Sequence, residues 1–218
     1  MPDVAHTSAR IPAGSAALEG DLDVPARARG IVLFAHGSGS GRHSPRNRRV
    51  AESLRLAGLA TLLLDLLTRD EEAEDALDGR YRFDIPALAA TRRAATDWIA
   101  TRPELSGLAV GYFGASTGGG AALVAAAERP AMARAVVSRG GRPDLAGDAL
   151  PRVKAPTLLI VGGEDVPVIR LNEQALERLR ATKELAVVPG ASHLFPEPGA
   201  LEQVMTLAGN WFTRHLTV

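Results

Sequence analysis

Three side chains in this sequence have the types and context needed for acyl transfer. Ser116 sits in Gly114-Ala115-Ser116-Thr117-Gly118-Gly119, after the apolar run from Leu108 to Phe113 and before an alanine-rich run. A strand that turns sharply into a helix at Gly-x-Ser-x-Gly is a nucleophile elbow, and small neighbours let the two elements close on the serine. A serine hydroxyl is a weak nucleophile until a base removes its proton, a task suited to imidazole. His193, after Pro189-Gly190-Ala191-Ser192, is placed for that role. An imidazole base needs a carboxylate to hold its tautomer and stabilise the cation that forms. Asp165, after Gly162-Gly163-Glu164, is that carboxylate, with Glu164 as the rival acid. The tetrahedral intermediate needs hydrogen-bond donors for its oxyanion. The Thr117 backbone N–H, just after the serine, is one. The Ser38 N–H, in the glycine-rich loop His36 to Gly41, is the other, with Gly39 as second choice.

These residues must be carried to one place, and the apolar runs show how. Residues 16–20 belong to an early strand pair that turns near Pro25. Gly30 to Ala35, Leu59 to Leu64, Leu108 to Phe113, Ala135 to Ser138, Thr157 to Val161 and Glu184 to Val188 are short apolar runs, as expected of strands buried on both faces. Helical patterns lie between them: from about Arg46 to Gly58, from Asp84 as N-cap to near Arg102, after Ser116, through Gln174 to Arg180, and Leu201 to Phe212 with apolar residues at three- and four-residue spacing. Thr68 to Gly79 is acidic and reads as an exposed loop or short helix. This alternation predicts an α/β fold: a mostly parallel sheet of about seven to eight strands with helices on both faces, as one domain over 1–218 with no cap domain. Ligands of such sheets bind beyond the carboxyl ends of the strands. Ser116, Asp165 and His193 all leave that edge, in that chain order.

Composition narrows the class further. Among 218 residues, 46% are hydrophobic and 23% charged, and the formal net charge is zero. A balanced charge argues against nucleic acid, whose phosphates demand a basic surplus. There is no cysteine, which excludes disulfides and thiol chemistry. No run approaches a membrane span and the first fifteen residues lack a signal-peptide layout, so a cytoplasmic enzyme, monomer or homodimer, with no membrane partner is the expectation. The glycine loop after Ala35 fits neither nucleotide pattern: Arg42 or Ser44 stands where the last glycine of a dinucleotide fingerprint belongs, and no Gly-Lys-Ser/Thr follows. No His and carboxylate cluster has metal spacing, so neither metal nor cofactor is expected. Arg42 and Arg139 leave the catalytic edge and suit an anionic or polar substrate, as do Arg80 and Arg82 in the region after the fourth strand. Phe195, two residues after His193, is a further candidate substrate contact, and with Tyr81 and Phe83 could supply an apolar wall. Apart from these, the segments 68–79 and 139–156 are polar and unsuited to holding an alkyl chain.

With His36-Gly37, Gly114-x-Ser116-x-Gly118, Gly162-x-x-Asp165 and His193, the chain resembles the α/β-hydrolase superfamily over nearly its whole length. More narrowly it is similar to the small, uncapped dienelactone hydrolase-like group. That resemblance implies a hydrolase acting through a nucleophile–His–Asp triad. The prototypes of the group use cysteine where this chain has Ser116, a departure with which ester hydrolysis fits. The resemblance implies a serine esterase for small soluble esters working through an acyl-enzyme. Lactone hydrolase, thioesterase, small amidase and acyltransferase use the same triad, and a non-catalytic binding module is the reading from another class. Some similar hydrolase domains occur beside phosphoribosyltransferase domains.

Overall fold

The computed structural model describes residues 4–13, 16–37 and 39–217. Strand β1 (Val4–Ala13) folds back on β2 (Ala16–Pro25) as an antiparallel pair, and β2 runs antiparallel beside β4 (Ala60–Leu64). From there the sheet is parallel through β3 (Ile31–Ala35), β5 (Val110–Ala115), β6 (Ala133–Arg139), β7 (Thr157–Gly162) and β8 (Lys183–Val188). The order across the described sheet is β1-β2-β4-β3-β5-β6-β7-β8. The chain therefore winds outward both ways from β3 and puts β5, which ends one residue before Ser116, near the middle.

Each strand alternates its side chains between two cores, because successive residues point to opposite faces. Leu33, Leu62, Tyr112, Val136 and Leu159 pack on one face with residues of α3 (Ile85–Ala100), α4 (Thr117–Glu128) and α5 (Val166–Arg178). Val32, Phe34, Leu63, Phe113, Val137, Leu158 and Ile160 pack on the other, under α1 (Pro45–Leu56) and α6 (Ala200–Leu216). The amphipathic reading of the last helix is met: Leu201, Val204, Ala208, Trp211 and Phe212 are buried against the sheet.

Local chemistry explains where the helices begin. Ser44 caps α1 by accepting from the Asn47 N–H, and Pro45 occupies the first turn, where its missing N–H costs nothing. Asp84 caps α3 by accepting from the Ala87 N–H at 3.0 Å. The acidic segment after β4 is a ten-residue helix, α2 (Arg69–Asp78), rather than a loop. Thr68 accepts from the Glu71 N–H and Glu71 reaches back to the Thr68 N–H, a capping box, while Gly79 stops the helix in the left-handed conformation. Helix α5 starts earlier than its apolar pattern suggests, at Val166, because Pro167 is tolerated in a first turn. Between β6 and β7 the chain forms only 3₁₀ turns over Pro143–Arg152, kinked at Gly147, so no helical cap rises from this gap. Among the described residues no helix is long and apolar enough to cross a membrane.

Candidate active site

Ser116 occupies the turn between β5 and α4 with φ 50° and ψ −124°, a region that L-residues rarely adopt. The packing around it dictates that strain. A β-carbon on Gly114 would lie 2.3 Å from the Gly118 carbonyl oxygen, and one on Gly118 would lie 2.6 Å from the carbonyl oxygens of Ala35 and His36. Only glycine lets strand, helix and the loop after β3 close this far. The turn is also tied to the end of β6. The Ser116 N–H donates to the Arg139 carbonyl at 3.3 Å, and the Arg142 N–H donates to the Ser116 carbonyl at 3.0 Å.

Asp165 and His193 come from the loops after β7 and β8, at the same sheet edge. The His193 Nδ1 and Asp165 Oδ2 are 2.6 Å apart, a hydrogen bond that leaves the other ring nitrogen for different work. The loops are stitched together: the Gly163 N–H donates to the Val188 carbonyl and the Glu164 N–H to the Ala191 carbonyl. A β-carbon on Gly162 would come within 2.3 Å of the Ala191 carbonyl oxygen, so the approach needs glycine there too. Glu164, the rival acid, is exposed and does not reach the imidazole. His193 is held from behind as well. The Ser192 N–H donates to Glu197 at 3.0 Å, and Gly140, in the left-handed region, leaves room for the His193 ring and carbonyl. Ser116 and His193 line one cavity of about 230 Å³, without a direct hydrogen bond between them. Such bonds are often long before substrate arrives.

The loop after β3 packs directly on the serine. A β-carbon on Gly37 would sit 2.9 Å from that of Ser116. His36 anchors this loop. The Leu66 N–H donates to its Nε2 at 3.1 Å, so Nδ1 carries the proton and donates to the Gly37 carbonyl at 2.9 Å. Burial pushes the His36 pKa below its ordinary value, which keeps the ring neutral and that pattern intact. Ser38, one of the two expected oxyanion donors, lies outside the described residues. Thr117, the other, is buried as the first residue of α4, where the helix dipole is positive. Gly39 and Thr117 line a second cavity of about 160 Å³, which shares Gly37 and Ser40 with the first. Leu66, Leu67 and Leu88 give it apolar walls, and Ala76 of α2 lines it too. Besides the exposed Ala76, the helix after β4 contributes the carboxylates Glu72 and Asp75 to this lining.

The charged residues sort differently from expectation. Arg42 is bound by three carboxylates: Asp65 by backbone and side chain, Glu19 at 2.8 Å and Asp21 at 3.5 Å. It braces loops internally and does not line the Ser116 cavity. Arg80 pairs with Asp78 and Glu74, and Arg82 with Asp75. Phe195 is 2% exposed and adopts φ 56°; its ring lies under the Arg139 guanidinium, 5.8 Å away, so it backs that group rather than meeting substrate. Arg139 does line the cavity, donating to Asn47 Oδ1 at 3.2 Å. Arg46 and Asn47 line it as well and were not anticipated. Their signal was positional: they fall in the first turn of the helix that follows the glycine loop, on the catalytic edge. Among the described residues no group of three or more His, Cys, Asp or Glu side chains could hold a metal ion.

Comparison with known proteins agrees with this architecture. A structure of a dienelactone hydrolase from Anabaena variabilis is 61% identical, covers 98% of this chain and 99% of its own, and superposes with a TM-score of 0.95. An esterase of Pyrococcus furiosus, 17% identical, covers 97% of this chain and 93% of its own with a TM-score of 0.80, a likeness of fold alone. A Mycobacterium tuberculosis protein named "Putative phosphoribosyl transferase" is 57% identical over 215 residues, which are 99% of this chain but 48% of that protein. The chain thus spans about half the length of these mycobacterial relatives. The model of the dienelactone hydrolase family matches residues 17–209, and the chain belongs to that family of α/β hydrolases.

Proposed function

We propose that the chain is a serine hydrolase that cleaves carboxylic esters of small substrates through an acyl-enzyme. The observation that carries this reading is the 2.6 Å contact between His193 Nδ1 and Asp165, made beside a cavity that His193 shares with Ser116. In the proposed cycle His193 Nε2 takes the Ser116 proton as Oγ bonds to the ester carbonyl carbon. The oxyanion forms against the Thr117 N–H at the start of α4. The intermediate then expels the alcohol, whose oxygen takes the proton from His193. Water, deprotonated by the same imidazole, releases the acid and restores Ser116. Asp165 holds the ring and stabilises its cation throughout. The two cavities, about 230 and 160 Å³, suit a small substrate with one part in each.

A lactone is an internal ester and would be opened by the same steps. The 61% identical Anabaena protein, a dienelactone hydrolase by name, makes this the second reading. The transferase name belongs to mycobacterial proteins about twice as long and is not carried over.

A fluorophosphonate probe should label the wild-type protein and leave Ser116→Ala unlabelled, with hydrolysis of p-nitrophenyl acetate lost in parallel. Equal labelling of both proteins would place the reactive hydroxyl elsewhere and end this reading.

A further inference from the structure

We propose that the alcohol part of the substrate carries a phosphate monoester, bound by Arg46 and Arg139 at the start of α1. This rests on the esterase reading above and adds a substrate class to it.

The cavity beside Ser116 and His193 is lined by Ser44, Arg46, Asn47 and Arg139. Arg139 is 4% exposed, yet its one side-chain hydrogen bond among the described residues goes to the neutral Asn47. Its Nε has no partner, and neither does the buried Nε of Arg46. Arg46 forms no ion pair among the described residues, and the carboxylates that neutralise Arg42, Arg55, Arg82 and Arg142 have no counterpart here. Burial, and then the Arg46 charge, lower the Arg139 pKa to about 10, so two guanidinium groups repel one another at a buried wall. The other deeply buried arginine, Arg92, lies over the Tyr112 ring and lines neither cavity. Two uncompensated cations facing a cavity call for an anion from outside.

The helix start adds to this. Ser44 caps α1 at the same wall, and a helix N-terminus attracts anions through its dipole. Two full positive charges and a helix N-terminus match a group of charge near −2 with three acceptor oxygens, which is a phosphate monoester.

Chemistry decides which part of the substrate carries it. As the carbonyl carbon–oxygen bond breaks, the departing oxygen takes its proton from His193. The alcohol therefore lies on the His193 side, in the cavity with the two arginines. The acyl part is left to the second cavity, where Leu66, Leu67 and Leu88 offer apolar contact and the carboxylates of Asp65, Glu72 and Asp75 would repel an anion.

Three acetate esters separate the possibilities: acetyl glycerol, acetyl glycerate and acetyl glycerol phosphate. The phosphate ester should exceed the neutral one in kcat/KM by about tenfold or more, the range of charge-assisted hydrogen bonds, with the carboxylate between them. The ratio of phosphate to neutral ester should fall towards one in Arg46→Gln and in Arg139→Met. Because it compares two substrates on one protein, partial loss of folding in Arg139→Met does not disturb it, and the more exposed Arg46 gives an independent reading. Equal rates on the neutral and phosphate esters, or an unchanged ratio in Arg46→Gln, would overturn the subsite. Equal rates on the carboxylate and phosphate esters would overturn its assignment to phosphate. Failure to cleave any of the three, the neutral ester included, would sink the esterase reading and this proposal with it.

Discussion

Gly37 lies so close to Ser116 that a β-carbon on it would stand 2.9 Å from the serine β-carbon. The loop after β3 is thus fitted against the serine at a distance only glycine allows. Gly37→Ala should push loop and serine apart by a few tenths of an ångström. Overpacking of this kind costs about 1–3 kcal/mol, but its larger effect should be on alignment. A reactive group displaced by 1 Å can lose roughly a hundredfold in rate, so a tenfold or greater loss of kcat/KM is expected, with a drop of only a few degrees in Tm. Kinetics and thermal unfolding on one preparation check this. Full activity in Gly37→Ala would show that the loop adapts freely.

The pairing of His193 with Asp165 rather than Glu164 is the next test. Asp165→Asn should leave a folded protein with a misoriented imidazole. In a serine protease the equivalent change lowers kcat by about ten-thousand-fold, and a loss of at least about a hundredfold is expected here. Glu164→Gln removes an exposed carboxylate without contact to the ring and should change kcat less than twofold. Steady-state kinetics on both variants decide it, and a crippled Glu164→Gln beside a near-normal Asp165→Asn would reverse the assignment.

His36 ties stability to pH. Burial lowers its folded-state pKa below the ordinary 6.5, so the ring is neutral in the fold and accepts from the Leu66 N–H. In the unfolded chain it takes up a proton first as pH falls. Between the two values the unfolded state binds more protons, so stability rises with pH across that window. The contribution is complete above about 6.5 and is lost as pH falls from there through the lowered folded value. Wild-type Tm should therefore drop more between pH 7 and pH 5 than that of His36→Gln, which has no proton to gain. Scanning calorimetry at the two pH values measures the difference, and equal drops would mean that another group governs the acid limb.

The fold was legible because its signals are local and repeated. Runs such as Thr157 to Val161 between helical stretches can only be buried strands of a covered parallel sheet. The positions of Ser116, Asp165 and His193 followed, since the topology sends every parallel strand's exit to one edge. What the sequence concealed depends on side-chain partners across the fold. Arg42 and Arg139 look alike as letters, yet one meets Asp65, Glu19 and Asp21, while the other, among the described residues, meets neutral Asn47 and the Phe195 ring. No periodicity distinguishes them. The α2 helix was different: its acidic composition left loop and short helix both open, and the signal that decides for the helix, Thr68-x-x-Glu71 closing at Gly79, is present in the sequence.

The second cavity limits the length of acyl chain that the site can hold. Leu66, Leu67 and Leu88 provide apolar contact for the first methylenes of an acyl chain, each gaining roughly 0.8 kcal/mol when buried. That gain has a short reach. The cavity holds about 160 Å³, below the roughly 300–1,000 Å³ of pockets that enclose drug-sized ligands. Glu72, Asp75 and Arg82 also line it, and Asp75 is locked by the N–H groups of Tyr81 and Arg82 and by the Arg82 guanidinium. An alkyl chain that outgrows the leucines must either strip water from these charges or turn back into solvent, and neither is favourable. Between β6 and β7 no helical cap supplies a further trough. With p-nitrophenyl esters, kcat/KM should therefore peak between acetate and butyrate and fall by octanoate. Leu88→Ala should move the optimum towards longer chains, by opening the far wall, while leaving the charges in place. A rate that climbs through octanoate to palmitate in detergent-free buffer would contradict this, and would mean that α2, with exposed Leu77 and nearby Phe83, moves aside to expose a longer channel.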